Sequence, residues 1–348
     1  MIRRGSIRVD PDVYTKREMD GLTSFAHAGY RGRLAPSPTG YLHIGHARTF
    51  ATAWRRAREA GGALVMRMED LDRDRSRMEY AAAALEDLRW LGLDWDEGPD
   101  VGGAFGPYAQ SERGEVYLDA WKRLRESGLI YPCRCSRKDL AAAVSAPHEG
   151  AGRGQDAEDE PVYPGTCRPS CTGKGVFEIS SEMADGPSGM NWRFRVPDGE
   201  PVEFEDLNLG TQRYVAGVDF GDFLLWRRDG VPGSPWTGPR PWGGGVPGSP
   251  RTGPRPWGGG CPSYQLACVA DDAAMRITEV VRGADLLKST ARQILLNRAL
   301  GFADPKWFHC ELSVDDQGRR LAKRHDALSI RSLRERGFRP EAILEVAR

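Results

Sequence analysis

Two histidines three positions apart, His43 and His46, flank Gly45 in the stretch Arg33 to Arg48, which reads RLAPSPTGYLHIGHAR. Imidazoles so placed could donate hydrogen bonds to phosphate oxygens whose charge grows as a bond to phosphorus forms and breaks. Pro36, Pro38 and Gly40 punctuate a loop, and Gly45 permits a close backbone approach where the next helix begins. A loop feeding a helix N-terminus is an anion site, because its N–H groups and the helix dipole point the same way. The rival reading is a tight loop with incidental surface histidines. A second group of candidates ends the run ALVMRMEDLD, where Glu69, Asp70 and Asp72 stand at the carboxyl edge of a strand and Asp72 serves equally well as a structural cap. Tyr264 and Arg282 offer a hydroxyl and a guanidinium, groups that orient an amino acid whose side chain is itself an anion. Their bland alternatives are a half-buried strand aromatic and a surface salt bridge.

Cysteines form a third group. Cys133 and Cys135 stand in CRC, and YPGTC downstream supplies Tyr163 and Cys167. Thiolates clustered in this way suit a tetrahedral zinc, with Cys171 as a spare candidate; buried, unreactive cysteines are the other reading. Near the end, Lys323 lies in GRRLAKRHDALS, by itself a basic turn.

These residues need a frame. The 348 residues suffice for one large or two modest domains. Lys plus Arg and Asp plus Glu both number 49, so any nucleic-acid contact must come from local patches rather than a global field. No apolar run approaches the roughly 18 residues of a membrane span, and an odd count of seven cysteines fits a reducing compartment, so a cytoplasmic protein without membrane contact is expected. HARTFATAWRRAREAGG predicts a helix that puts Ala47, Phe50, Ala51, Trp54 and Ala57 on one face and stops at Gly61, with Arg48, Arg55 and Arg56 on the opposite face, solvated or, in the rival reading, in contact with phosphate. ALVMRM suits a buried parallel strand, which makes a βαβ unit whose ligands bind beyond the carboxyl strand ends. Two packing helices follow, one lined by Ala81, Leu85, Leu88 and Leu91, the other by Val116, Ala120, Trp121 and Leu124. NWRFRV, PVEFEDLNLGTQRYVAG and DFLLWRRDG read as strands, and from SYQLACVADD an order of strand, helix and strand resumes. Between them GVPGSPWTGPRPWGG is repeated as GVPGSPRTGPRPWGG, differing only at Trp236 against Arg251. Two copies so rich in Pro and Gly cannot bury a core; they read as a duplication in a surface turn, the rival being a polyproline segment that meets a partner.

The run RLAPSPTGYLHIGHAR resembles the first signature of class I aminoacyl-tRNA synthetases, with HIGH intact at residues 43 to 46, and RLAPSPTG narrows the resemblance to the glutamyl and glutaminyl subgroup. VVRGADLLKSTARQ resembles the subgroup's VxRGxDLxxST block. RLAKR at residues 320 to 324 resembles KMSKS, keeping its second lysine as Lys323 while Ala322 replaces the serine and Arg320 the first lysine. CxC followed by YxxxC resembles the glutamyl-queuosine tRNA(Asp) synthetases, in which one structural zinc is held by three cysteines and a tyrosine; the matching residues are Cys133, Cys135, Tyr163 and Cys167.

The resemblance implies an α/β fold, a Rossmann-type class I catalytic domain with an inserted α+β zinc-bearing lobe. It implies an N-terminal extension at residues 1–30, a first catalytic half at 31–130, the zinc-bearing lobe and strands at 131–228, the Pro/Gly insert at 229–262 and a second catalytic half at 263–348. Its chemistry is activation of L-glutamate by ATP with Mg²⁺ to the adenylate, then transfer to RNA. The roles implied are catalysis by His43, His46 and Lys323, ATP binding by those three and Gly45, and glutamate binding by Arg33, Leu34, Ala35, Pro36, Ser37, Glu69, Tyr264 and Arg282. Arg33 and Arg282 would supply two cations for a substrate with two carboxylates. Arg324 lies 24 residues before Arg348, leaving no room for an anticodon-binding domain, so the acceptor implied is tRNA(Asp) carrying queuosine, and a monomer is expected. Rival readings are an ordinary glutamyl-tRNA synthetase catalytic fragment and a synthetase-like RNA-binding protein without activity.

Overall fold

The computed structural model describes residues 29–72, 74–135, 162–169, 186–187, 189–228, 260–312 and 329–346. Most of the N-terminal extension, Cys171, the tandem repeat and the KMSKS-like residues, Lys323 included, lie outside the described residues.

The described chain begins with β1 (Arg31–Leu34), α1 (Ile44–Glu59) and β2 (Ala63–Met66), with β1 and β2 parallel and Leu34 opposite Met66. Leu64, Val65 and Met66 have no exposed surface, as a parallel strand covered on both faces requires. Helix α1 buries Ala47, Phe50, Ala51, Ala53 and Ala57 and runs out before Gly61, whose φ of 59° would strain a residue with a Cβ. Its arginine face is not simply solvated. Arg55 is exposed, but Arg56 binds both oxygens of Glu279 at 2.5 and 2.9 Å, because Glu279 is buried beside the helix and needs a cation.

Helices α2 (Met78–Trp90) and α3 (Gly114–Glu126) bury the faces their periodicity predicts, with Val116 at the margin. The chain then forms β3 (Ile130–Cys133), β4 (Asn191–Phe194), β5 (Pro201–Asp206), β6 (Gly210–Val215), β7 (Phe223–Arg227) and β8 (Cys261–Pro262). Strands β3, β4, β7 and β8 make an antiparallel sheet in that order, while the β5–β6 hairpin turns away from it. The second half contains α4 (Tyr264–Ala274), β9 (Glu279–Gly283), α5 (Leu287–Leu300), β10 (Lys306–Cys310), α6 (Ile330–Glu335) and α7 (Pro340–Val346). Strands β9 and β10 are parallel, β5 joins β10 at Asp206 opposite Trp307, and the Thr278 amide donates to the Arg31 carbonyl at 2.9 Å, which sets β9 beside β1.

SYQLACVADD is a helix, not the strand its alternation predicts. Ser263 caps it by accepting from the Leu266 amide at 3.4 Å, and Leu266, Ala267, Val269 and Ala270 are all buried, a helical stripe wide enough to mimic a buried strand. Helix α6 is tied back to α2, with Arg331 and Arg334 on the two oxygens of Glu86 at 2.5 and 2.8 Å. Its first amide, Ile330, donates to Leu42 at 2.7 Å, which seats the end of the chain against the start of α1.

The repeat re-enters the fold at Gly260, where φ is 76° and a Cβ would stand 2.4 Å from the Arg227 carbonyl. Only glycine fits there. Deleting residues 231–260 brings Gly230 into that place directly before Cys261, so the deletion variant is expected to fold with a melting temperature near that of the parent and to keep glutamate activation. A folded but inactive deletion variant would show that the repeat is functional.

Candidate active site

The loop from β1 and the end of β2 are stitched together by backbone bonds. The Arg67 amide donates to Leu34 at 2.8 Å, the Glu69 amide to Pro36 at 3.0 Å and the Arg77 amide to Pro38 at 2.9 Å. Leu34 is wholly buried in the core, so at this position only its backbone can face a ligand; Pro36 is buried, Ala35 half-buried and Ser37 exposed. Asp72 takes the structural role, accepting from the Arg75 amide and side chain at 3.3 and 2.7 Å.

His43 is the N-cap of α1. Its Nδ1 accepts from the Gly45 amide at 3.1 Å, and Nδ1 of His46 accepts from the His43 amide at 3.2 Å, a capping box built from two imidazoles. The ring centroids are 3.8 Å apart. Because both rings use Nδ1 as acceptor, their neutral forms carry the proton on Nε2, giving two donors at a helix N-terminus. A Cβ on Gly45 would lie 3.1 Å from the His43 ring, so glycine is what lets that ring fold over the first turn. His43 also bridges to Ser329 in β-fashion, which brings the segment after the KMSKS-like residues to the HIGH end of α1.

Arg33, Glu69, Tyr264 and Arg282, chosen from the sequence, converge through partners that were not. Arg67 is fully buried and donates to Glu69 at 3.0 Å and to Asp272 at 2.6 Å, and Arg33 stands 3.6 Å from Asp272. The Cys268 thiol donates to Glu69 at 3.6 Å, and one helical turn away on α4 the Tyr264 hydroxyl accepts from Arg282 at 3.4 Å. Tyr264 is 37% exposed, but desolvation of its hydroxyl, then the nearby Cys268, raises the phenol above its ordinary range, so it stays a neutral hydroxyl. The cluster holds four guanidinium groups, Arg33, Arg67, Arg113 and Arg282, against three carboxylates, Glu69, Asp271 and Asp272. One positive charge is left over, which complements an amino acid bearing one net negative charge, with Glu69 available to an ammonium.

Arg282 is itself oriented by Gln293 at 2.8 Å, Thr290 at 2.6 Å and His309 at 3.2 Å. Behind His309 lies Asp206, 2.6 Å from Nδ1. Burial, then the neighbouring Arg282, pushes the His309 imidazole down to about 4, so it is neutral near pH 7.

Cys133, Cys135 and Cys167 bring their sulfurs within 4.8 Å of one another. Tyr163 Oη is 3.5 Å from Cys133 Sγ and 3.6 Å from Cys135 Sγ, and the Cys135 and Cys167 sulfurs are 3.6 Å apart. A tetrahedral zinc with bonds of about 2.3 Å to sulfur and 2.0 Å to oxygen needs ligand separations of roughly 3.5–3.8 Å, so this donor set fits one. Asp222 braces the flanks, accepting from Tyr131 at 2.5 Å and lying 3.2 Å from Arg168, while Arg193 covers the Tyr163 ring at 3.9 Å.

A protein-family model for the catalytic domain of class I tRNA synthetases (E and Q) matches residues 30–232 and 256–348. The chain belongs to that family. A relative from Symbiobacterium thermophilum named glutamyl-Q tRNA(Asp) synthetase is 47% identical over 90% of this chain and 84% of its own length, and one of the same name from Nitratidesulfovibrio vulgaris is 44% identical over 88% and 82%. Glutamate–tRNA ligase 2 of Nitrosococcus oceani is 39% identical, but the chain spans only 57% of it. Among solved structures, the glutamate-tRNA synthetase of Elizabethkingia anophelis superposes with a TM-score of 0.63 at 24% identity over 89% of this chain and 54% of that one, a likeness of fold. The gap between 57% and 84% is a difference in the relatives' lengths. No helix among the described residues is long and apolar enough to cross a membrane.

Proposed function

We propose that this chain is a glutamyl-Q tRNA(Asp) synthetase: it condenses L-glutamate with ATP to glutamyl adenylate and passes the glutamyl group to queuosine in the anticodon of tRNA(Asp). The observation that carries the reading is the cluster of Arg33, Arg67, Glu69, Asp272, Tyr264 and Arg282 at the carboxyl ends of the strands, beside a helix capped by two histidines. The names of two relatives at 47% and 44% identity support the choice of acceptor.

In the adenylation step the α-carboxylate of glutamate attacks the α-phosphorus of ATP and pyrophosphate departs. Glu69 holds the ammonium, and Arg33 and Arg282 hold the two carboxylates, so that the nucleophilic oxygen is fixed in place. His43 and His46 donate from Nε2 to the phosphate oxygens as charge moves onto them. Lys323, six residues before the anchored Ser329, meets the departing pyrophosphate. Mg²⁺ bound with ATP supplies further charge neutralisation. Cys133, Cys135, Tyr163 and Cys167 hold one zinc that fixes the lobe and takes no part in the chemistry.

Two measurements test this. Glutamate-dependent ATP–pyrophosphate exchange without RNA is expected, and its absence from folded protein would leave the RNA-binding reading. Labelled glutamate is expected on tRNA(Asp) with queuosine, even after removal of the 3′-terminal adenosine, and not on queuosine-free RNA. Charging of tRNA(Glu) at its 3′ end would instead mark an ordinary glutamyl-tRNA synthetase. For the metal, purified protein is expected to contain about one zinc per chain, with Cys133→Ser releasing it and lowering the melting temperature. Stoichiometric zinc in a variant lacking both Cys133 and Cys135 would overturn the assignment.

A further inference from the structure

Arg282 is set apart from the other guanidinium groups of the pocket. Arg33 and Arg67 both face Asp272, and Arg67 also faces Glu69, whereas no carboxylate among the described residues is in ion-pair range of Arg282. Arg282 is only 4% exposed, and its contacts are the neutral acceptors His309, Gln293, Thr290 and Tyr264, with the Trp307 ring 5.1 Å from its centre. A buried cation surrounded by neutral groups is costly, and the cost is offset when an anion arrives.

The neutral acceptor on Nε is not neutral by accident. His309 must present a lone pair on Nε2 to the Arg282 Nε–H at 3.2 Å, which requires its proton on Nδ1. Asp206 holds that proton at 2.6 Å. The carboxylate is itself locked, its Oδ1 accepting from the amides of Asn208 and Leu209 at 3.0 and 2.9 Å and its Oδ2 from that of His309 at 3.1 Å. Asp206 and His309 have side chains with no exposed surface, and Thr290 is equally enclosed. Asp206 therefore lies one imidazole behind Arg282, able to fix its direction through His309 but too far back to neutralise it.

We infer that Asp206 and His309 are positioning residues for substrate selection: they hold Arg282 aimed and unneutralised, so that the pocket prefers an amino acid with an anionic side chain over its neutral amide. This rests on the reading of the pocket as the glutamate site. An amide ligand would leave the Arg282 charge buried without an anion, whereas a carboxylate replaces the missing counter-ion. The arrangement thus converts a buried, uncompensated charge into discrimination between glutamate and glutamine.

Asp206→Asn is the sharpest test because it keeps shape and removes charge. Its oxygen stays with the Asn208 and Leu209 amides, which turns the NH2 toward Nδ1 and toward the His309 amide that Oδ2 had accepted from, and moves the His309 proton to Nε2, where it goes to Thr290 Oγ1 at 2.9 Å and leaves the Arg282 Nε–H facing a donor. The expected result in ATP–pyrophosphate exchange is a glutamate KM raised roughly 10- to 100-fold, a reduced preference for glutamate over glutamine, and a little-changed KM for ATP. His309→Leu should do the same, and His309→Gln, whose amide oxygen can reach the place of Nε2, should recover much of the loss. Melting temperatures establish that each variant is folded, and the split between the two KM values distinguishes aim from general damage. Wild-type glutamate KM in folded Asp206→Asn and His309→Leu, or a parallel rise in both KM values, overturns the inference. Arg282→Ala separates the levels: if it leaves glutamate KM unchanged, the reading of the pocket fails and this inference with it, whereas a raised KM there beside an unchanged one in Asp206→Asn removes the Asp206–His309 role alone.

Discussion

His43→Asn is expected to leave the protein folded and to lower glutamate-dependent ATP–pyrophosphate exchange by roughly 10²- to 10³-fold, the usual cost of one preorganised donor to a developing charge. The choice of asparagine matters because His43 has two jobs. As N-cap it accepts from the Gly45 amide, and alanine would lose about 1 kcal/mol of helix stability along with the imidazole. Asparagine is among the best N-caps, so its side chain preserves the first turn while removing the Nε2 donor. A melting temperature close to that of the parent together with collapsed exchange assigns the loss to chemistry. His46→Ala should act in the same direction, with an added structural effect from the bond its Nδ1 takes from the His43 amide. Exchange near the parental rate in His43→Asn would remove the histidine from the mechanism.

What could be read from the chain before its fold follows from the range of the interactions involved. The HIGH loop is local: proline and glycine punctuation, a capping position and a helical stripe all fall within residues 33–61, so sequence spacing is nearly geometry there. The same holds for Cys133 with Cys135 and Tyr163 with Cys167, two short motifs that need only one contact to make a site. Arg33, Glu69, Tyr264 and Arg282 were visible through their chemistry, but the groups that orient them were not. Asp206 and His309 are 103 residues apart, and Arg67 and Asp272 are 205 apart. Nothing in PVEFED distinguishes Asp206 from a strand-end carboxylate, and nothing in KWFHC marks His309 as more than a buried histidine, until β5 pairs with β10. Arg56 illustrates the same limit in reverse, its sequence context predicting a solvated face while the buried Glu279 on β9 draws it into a half-buried ion pair. The sequence around Tyr264 predicts a strand where the chain is helical, because the residues buried over 264–274 span too wide an arc for a two-fold period to be told from a helical one.

Arg67→Met is expected to destabilise the protein by roughly 3–5 kcal/mol, the range for removing one partner of a buried ion pair. The guanidinium is fully buried, and its charge is stabilised strongly enough that its pKa lies well above the ordinary arginine value: burial works against it, but Asp272, Glu69 and Asp271 more than compensate. Methionine is close in volume and leaves no large cavity, so the cost falls on the carboxylates. Asp272 retains Arg33 at 3.6 Å and Asp271 retains Arg113 at 2.5 Å, whereas Glu69 loses its ion pair and, among the described residues, its side chain keeps the Cys268 thiol. Urea denaturation of Arg67→Met measures the loss, and a second variant assigns it. Adding Glu69→Gln removes the orphaned charge, and the double variant should regain a large part of the stability while glutamate activation stays low, because the carboxylate for the substrate ammonium is gone. If Arg67→Met alone lies within about 1 kcal/mol of the parent, the pocket is wetter than its packing indicates and Glu69 is held by something other than Arg67. If the double variant regains both stability and activity, Glu69 does not meet the substrate.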